Sequence, residues 1–412
     1  MPRPPVPKSA SRGPLAIVGA SVRSAAASAA RAGFHPLAAD LFADADLRRI
    51  ATATRISPYP EGLLDWLRAV EPPAWMYTGA MENHPELVDQ MAWIAPLWGN
   101  SGDVLTRVRS PWELGEVLRS AGLLFPETRT SPDGLPRDGS WLAKTYRGAS
   151  GSGVREWGRG QGAGSREPSH SLHAPCSLHP ASYQRRIGGT PCAAAFVAAN
   201  GAASLLGVAR QFVGEAWLGA HGFQYAGSVG PWPLSETATS TIGRIGDVLA
   251  DAFDLVGLFG VDMILDGEQI WTLEVNPRFT ASVEILERAT GIQAIAAHAA
   301  ACAAAGSRGQ GAGSPALGPL PVVESARRIH GKAILFARRE LVISDAFAAS
   351  TLAEALVAPW PMLADVSAAG TRIEKGRPIL TLFAHGSSGE EVEQRLRDRV
   401  AKIDEELYCE GQ

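Results

Sequence analysis

Asp262 in "GVDMI" and Glu274 in "LEVNP" stand twelve residues apart, on either side of an Asp266-Gly267 pair. Antiparallel pairing about that turn brings the two carboxylates roughly opposite, on one face of a hairpin. Like charges so placed repel unless a cation lies between them. A hard cation such as Mg²⁺ takes oxygen ligands, commonly one or two carboxylates together with substrate phosphates. Asn276 is two residues beyond Glu274, hence on the same face, and offers a third oxygen. Pro277 stops the ladder and Arg278 follows at once, a planar fork suited to phosphate. A solvated polar hairpin face has the same spacing, so the spacing alone leaves both readings open.

A second constellation favours the metal and phosphate reading. In "WLAKTYRGASGSGV", Lys144 sits on an otherwise apolar strand just before Gly148, Gly151 and Gly153. Such a loop lets backbone N–H groups approach phosphate oxygens, with the lysine as a point charge beside them. It is not a Walker A loop, because it contains no Gly-Lys-Ser/Thr.

These groups need strands to carry them, and the chain supplies strands in a definite order. "PLAIVGASVRSAAASAARAGFHPLAADLF" reads as strand, turn, Ala-rich helix and second strand ending at Asp40, the opening of a parallel α/β unit. Its turn "GASVRS" lacks G-x-G-x-x-G spacing, which argues against nicotinamide binding, and so against Asp40 as a ribose acid. The pattern restarts at "SPWELGEVLRSAGLLFPET", with Pro111 at the first helical position after Ser110. "CAAAFVAANGAASLLGVARQFVG" is a hairpin about Asn200-Gly201, followed by a helix near 236–254 and the carboxylate-bearing hairpin. After a low-complexity break, two further strand regions precede a charged amphipathic helix, "SGEEVEQRLRDRVAKIDEELY". The expected organisation is a disordered tail (1–13), an α/β unit (14–108), a central mixed unit (109–302) with a mobile insert (158–181), a linker (303–318) and a β-rich unit with a final helix (319–412).

Composition narrows the function class. The 412 residues are 46% hydrophobic and 19% charged, with a formal net charge of -4, which gives no reason to expect nucleic acid as partner. No apolar run reaches the roughly 18–20 residues needed to span a bilayer. Four cysteines (Cys176, Cys192, Cys302, Cys409) form no framework, and "MPRPPVPKSASRGP" has no signal-peptide apolar core. A cytoplasmic location is the expectation.

Three blocks in order, "LAKTYRGASGSGV", "YQRRIGGTPCAAAFVA" and "FGVDMILDGEQIWTLEVNPR", resemble the ATP-grasp superfamily. With "YTGAMENHP", "GVARQFVG" and "LEVNPRFTASVE", the chain looks most like the predicted ATP-dependent carboligases related to biotin carboxylase. The resemblance implies an α+β fold: a parallel pre-ATP-grasp domain, a central ATP-grasp domain and a β-rich end. It implies ATP with Mg²⁺ (or Mn²⁺) as cofactors. Lys144 would meet the α- and β-phosphates, and Gly148, Ser150, Gly151, Ser152 and Gly153 would close over the γ-phosphate. Gln184, Arg185, Ile187 and Ile264 would line the adenine pocket; Gln184 stands where relatives often carry a Glu. Asp262, Glu274 and Asn276 would hold the metal, and Arg278 would stabilise the transferred phosphoryl group. The implied reaction activates a carboxylate as an acyl phosphate and joins it to an amine, such proteins being associated with pterin-linked one-carbon metabolism. Bicarbonate activation and nucleotide binding without turnover are the alternatives. Related enzymes are often homodimers. Many relatives carry a Lys where Pro111 stands, with Arg107 and Arg109 the nearest substitutes.

Other signals point less clearly. His170, His173, Cys176 and His179 have zinc-ligand types, but the near-repeat "SLHAP/SLHPA" favours a low-complexity insert. "VSAAGTRIEKGRPILTL" has the spacing of a biotinyl hairpin but no Met-Lys-Met follows, so a carrier role is not expected. The first domain usually helps to bind the non-nucleotide substrate in this superfamily, which makes Ser21, Arg23, Glu82 and Asn83 candidate contacts. Arg23, Arg210 and Arg278 would suit an acidic substrate.

Overall fold

The computed structural model describes residues 12–145, 148, 150–158, 182–306, 328–357 and 359–408. His170, His173, Cys176 and His179 lie outside the described residues, so the zinc question falls there too.

The first unit is a parallel sheet of four strands in the order Thr52–Arg55, His35–Asp40, Pro14–Gly19, Trp75–Tyr77. Alternation along Pro14–Gly19 sorts its side chains onto two buried faces. Leu15 and Ile17 pack with Ala25, Ala26 and Ala29 of the helix Arg23–Arg31. Ala16 and Val18 pack on the other side with Leu63, Leu67 and Tyr77. Burial on both faces is the pattern expected of a parallel sheet, at about 1.5–3 kcal/mol for each fully buried Leu or Ile. The helix ends where Gly33 takes φ +85° and the Phe34 N–H donates to Ala29 O at 3.0 Å, a left-handed cap. Because Pro14–Gly19 lies between His35–Asp40 and Trp75–Tyr77, the chain leaves the sheet in opposite directions at this point. The carboxyl ends of these strands therefore border a crevice, where open parallel sheets bind ligands.

An eight-stranded antiparallel sheet follows, ordered Gln269–Asn276, Gly257–Asp266, Thr190–Ala199, Ala202–Val213, Tyr225–Gly230, Ile329–Phe336, Pro378–Gly386, Leu363–Ala364. The hairpin turn at Asn200 and Gly201 has positive φ at both residues (57° and 80°), as a type I′ turn requires. Phe259, Val261 and Met263 face the helix Glu236–Ala252 and its Ile242, Ile245 and Leu249. Phe196 and Phe259 stack there with ring centroids 4.9 Å apart. Alternation then turns Gly260, Asp262 and Ile264 to the opposite face. The expected β-rich C-terminal segment adds its strands to this same sheet, through pairing of Tyr225–Gly230 with Ile329–Phe336. The final helix, Gly389–Tyr408, covers it with Val392, Leu396, Val400 and Ile403.

A smaller antiparallel sheet runs Thr128–Arg129, Ser182–Arg185, Trp141–Lys144, Val154–Glu156. Trp141, Ala143, Trp157 and Tyr183 form its own small core, which leaves Leu142, Lys144 and Gln184 on the other face.

Candidate nucleotide and metal site

In the carboxylate-bearing hairpin the turn falls at Gly267-Glu268, one residue later than expected, and a bulge between Asp262 and Met263 restores the expected pairing, with Asp262 the direct partner of Glu274 and Gly260 of Asn276. Asp262 accepts hydrogen bonds from Gln211 Nε2 at 2.9 Å and Asn276 Nδ2 at 3.0 Å. Burial and the neighbouring Glu274 charge push the Asp262 carboxyl up to about 7. Two carboxylates with one driven this far from its ordinary value form a donor set that a hard cation would relieve. This repulsion is the reason to regard the hairpin as a fit for Mg²⁺. Asn276 differs from expectation in one respect, because its amide oxygen accepts from Arg278 Nη2 at 3.0 Å.

Lys144 approaches from the smaller sheet. Burial lowers its pKa, while the charges of Glu274 and Asp262 act in the opposite sense. A lysine and two carboxylates from different sheets thus share one gap. The glycine loop closes beside them. Ser150, Gly151 and Gly153 all have positive φ, of 53°, 80° and 84°. Ser150 O accepts from the Tyr225 N–H at 3.1 Å. A Cβ on Gly151 would stand 1.8 Å from Phe223 O, so only glycine permits this close approach. Gly148 and Ser152 meet at the loop's neck, where a Cβ on Gly148 would lie 2.4 Å from Ser152 O.

Gln184 is buried on the Lys144 face of the small sheet, and its Nε2 donates to Thr128 Oγ1 at 3.4 Å. Arg185 is exposed, and Ile187 and Ile264 are half-buried. Ile264 pairs with Pro191, and Gly189 crosses close over its side chain. Gln184 thus shares the Lys144 face, whereas Arg185, the partner of Trp141, is turned by alternation to the other face of the small sheet.

Arg278 does not present an open fork. Glu82 Oε1 accepts from its Nε at 2.9 Å and its Nη2 at 2.7 Å. Burial would raise the Glu82 carboxyl, but Arg278 and Arg109 outweigh it and hold it below its ordinary value. Arg109 Nη1 donates to Glu82 O and Asn83 Oδ1 at 2.7 and 2.8 Å. Arg107 Nη2 donates to Ala252 O at 3.0 Å. Both candidate substitutes for the lysine missing at Pro111 are therefore engaged elsewhere. Arg23 and Arg210 are likewise taken, Arg23 by Glu284 and Asp365, Arg210 by Glu393. The exposed Ser21 is tied by its carbonyl to Thr78 Oγ1 at 3.0 Å.

A family model for the ATP-grasp domain matches residues 108–282. Residues 108–282 therefore carry an ATP-grasp domain. A curated relative, the carbamoyl phosphate synthase large chain of Synechocystis sp., is 32% identical over 87 residues, 21% of this chain and 8% of that one. The chain thus spans only a small part of that relative. Among solved structures, an ADP complex of N5-carboxyaminoimidazole ribonucleotide synthetase superposes with a TM-score of 0.65 at 14% identity, over 95% of this chain and 97% of the other. The biotin carboxylase domain of the Hydrogenobacter thermophilus 2-oxoglutarate carboxylase, holding MgADP and bicarbonate, gives 0.64 at 13% identity over 93% and 88%. An L-amino acid ligase from Bacillus licheniformis gives 0.61 at 14% over 96% and 98%. At these identities the likeness is one of fold.

The ATP-grasp sheet also carries site groups that the sequence reading passed over. In-register pairs place Asp262 beside Ala193, Gln211 beside Ser228, and Ser228 beside Lys332 on one face. A polar stripe thereby leads from the carboxylate pair to Lys332, whose Nζ donates to the buried Glu284 at 3.3 Å. Tyr225 lies along it, its hydroxyl 2.7 Å from Ser228 Oγ. Period-2 alternation along "VARQF" was the available signal for Gln211. Asn100 was also missed: it bonds the backbone of Val256 on both its atoms and Pro277 O at 3.1 Å, fastening the ATP-grasp strand end to the first unit. Among the described residues, no helix is long and apolar enough to cross a membrane.

Proposed function

We propose that the chain is an Mg²⁺- and ATP-dependent ligase that activates a substrate carboxylate as an acyl phosphate and joins it to an amine. The observation that carries this reading is the Asp262–Glu274 pair, with Asp262 pushed up to about 7 and Lys144 facing it from the other sheet. Asp262, Glu274 and Asn276 would hold the metal, which when bound supplies neutralising charge to the phosphates. Lys144 and the N–H groups of Gly148 and Ser150–Gly153 would orient the polyphosphate, and Gln184, Ile187 and Ile264 would border the adenine. Arg278, pre-positioned by Glu82, would face charge developing on the transferred phosphoryl group. The likeness of fold to an L-amino acid ligase supports the choice of an amine as acceptor.

Thermal unfolding with ATP, Mg²⁺, both or neither tests the nucleotide site. Ligand at about 100 times its Kd should stabilise the folded chain by about 2.7 kcal/mol. The stabilisation should require both components, and its absence would end the reading. A second reading, nucleotide binding without turnover, draws on Arg107 and Arg109 being engaged elsewhere while Pro111 supplies no charge. Release of ADP on adding carboxylate and amine separates the two.

A further inference from the structure

Arg278 is held too fully to serve as a phosphate fork in the arrangement the structure shows. A guanidinium has five N–H donors. Among the described residues, Nε and Nη2 both donate to Glu82 Oε1, Nη2 also to Asn276 Oδ1 at 3.0 Å, and Nη1 to Phe279 O at 3.2 Å. One donor is left, whereas a two-point grip on a phosphoryl group needs two. Glu82 supplies the counter-charge of a side chain only 14% exposed, so that pairing is costly to break. The contact with the neutral Asn276 is the cheaper one to give up.

Asn276 stands between neighbours of opposite demand. The Asp262 carboxylate takes only donors, and Arg278 offers only donors. One orientation of the amide satisfies both, with Nδ2 donating to Asp262 Oδ2 at 3.0 Å and Oδ1 accepting from Arg278. Gln211 Nε2 donates to the other Asp262 oxygen at 2.9 Å and so fixes the carboxylate. In this orientation the amide turns its hydrogens, not its oxygen, toward Asp262. A separate observation concerns Glu82. Its Oε2 is buried and has no partner among the described residues, while Oε1 accepts twice. Glu82 therefore offers the guanidinium a second, bidentate seat that it does not occupy.

We infer that Asn276 is a positioning residue whose amide makes the readiness of Arg278 depend on the metal. The inference rests on the metal assignment of the ligase reading. With a cation held by Asp262 and Glu274, the Asp262 side of the amide calls for an acceptor, and Asn276 turns its oxygen there. Its nitrogen then faces Arg278, donor against donor, and that contact is lost. Arg278 moves Nη2 onto Glu82 Oε2, keeping its counter-charge. The hydrogen it had given to Asn276 becomes the second donor for the phosphoryl group.

Mn²⁺ affinity of the full chain saturated with ADP, read by electron paramagnetic resonance of the free ion, tests this without turnover. Arg278→Lys keeps the charge beside Glu82 but removes the planar fork that reaches Asn276. Mn²⁺ should then bind about three- to tenfold more tightly, because one hydrogen bond no longer has to be broken. In the Asn276→Ala background the same exchange at position 278 should leave Mn²⁺ affinity unchanged. Equal or weaker binding in Arg278→Lys, or the same gain in the Asn276→Ala background, would overturn the inference. A second measurement leaves Arg278 intact. The side-chain NH₂ resonance of Asn276, identified by its loss in Asn276→Ala, should exchange its hydrogens faster with Mg-ADP than with ADP in EDTA, since it gives up its carboxylate acceptor. Equal or slower exchange would also overturn it. A chain that Mg-ADP stabilises without these effects loses this inference and keeps the ligase reading; one that shows no metal-dependent binding loses both.

Discussion

Glu274→Gln is expected to stabilise the ligand-free protein while abolishing its response to Mg²⁺ and nucleotide. Asp262 is displaced from 3.8 to about 7, and at about 1.4 kcal/mol per pH unit this is on the order of 4 kcal/mol. Burial carries the largest share and Glu274 the next. Glu274 is exposed, so water screens its charge, and about 1 kcal/mol is the working figure for its removal. The sign follows from proton counting. The folded-state value lies above the unfolded one, so between 3.8 and about 7 the folded chain holds a proton that the unfolded chain has released. Stability therefore falls as pH rises through this window and is level above it. Gln at this position removes the like charge and flattens the decline. In EDTA, the variant should melt about a degree above the parent at about pH 8 and alongside it at about pH 4. With saturating Mg-ATP, only the parent should shift upward. A variant that melts below the parent at the higher pH, without metal, would show that no repulsion existed to be relieved, and the metal assignment would fall with it.

Lys144→Met should weaken Mg-ATP binding about tenfold to a hundredfold, the loss of one or two charge-assisted contacts, as read by calorimetric titration. Glu82→Gln leaves the buried Arg278 without its counter-charge and should cost about 3–5 kcal/mol, visible as a lower urea midpoint. Gly151→Ala cannot keep φ +80° with Phe223 O so near. The loop should lift, the melting temperature should change little, and the Tyr225 amide, bonded to Ser150 O, should lose protection in hydrogen exchange.

The hairpins were legible because local chemistry specifies them. Asn200-Gly201 supplies two positive-φ residues and Gly267 one, while the pairing of Asp262 with Glu274 depends also on a bulge between Asp262 and Met263, without which Leu273 would stand opposite. The glycine loop was legible for a similar reason, since Gly151 and Gly153 sit where side chains would collide. Charge partners were not. Arg278 finds Glu82 across 196 positions, Arg23 finds Glu284 across 261, and Arg210 finds Glu393 across 183. Nothing local distinguishes a guanidinium awaiting a substrate from one already neutralised by a distant carboxylate. These arginines, each held by a carboxylate, therefore carry no argument for an acidic substrate. Gln211 illustrates an intermediate case: its face follows from alternation, but its bond to Asp262 crosses an intervening strand.

The shared eight-stranded sheet also bears on how the protein is made. Tyr225–Gly230 takes its second neighbour from Ile329–Phe336. At about 5–20 residues per second, a ribosome needs roughly 5–20 s to supply that partner. Throughout this interval the nascent chain carries an open strand edge able to pair with other chains, and Glu284 lacks Lys332. A transcript broken between Arg278 and Ile329 would yield a chain containing every proposed nucleotide ligand and no means of closing its sheet. Such fragments should be insoluble or rapidly degraded, making completion of translation a condition for a lasting nucleotide site.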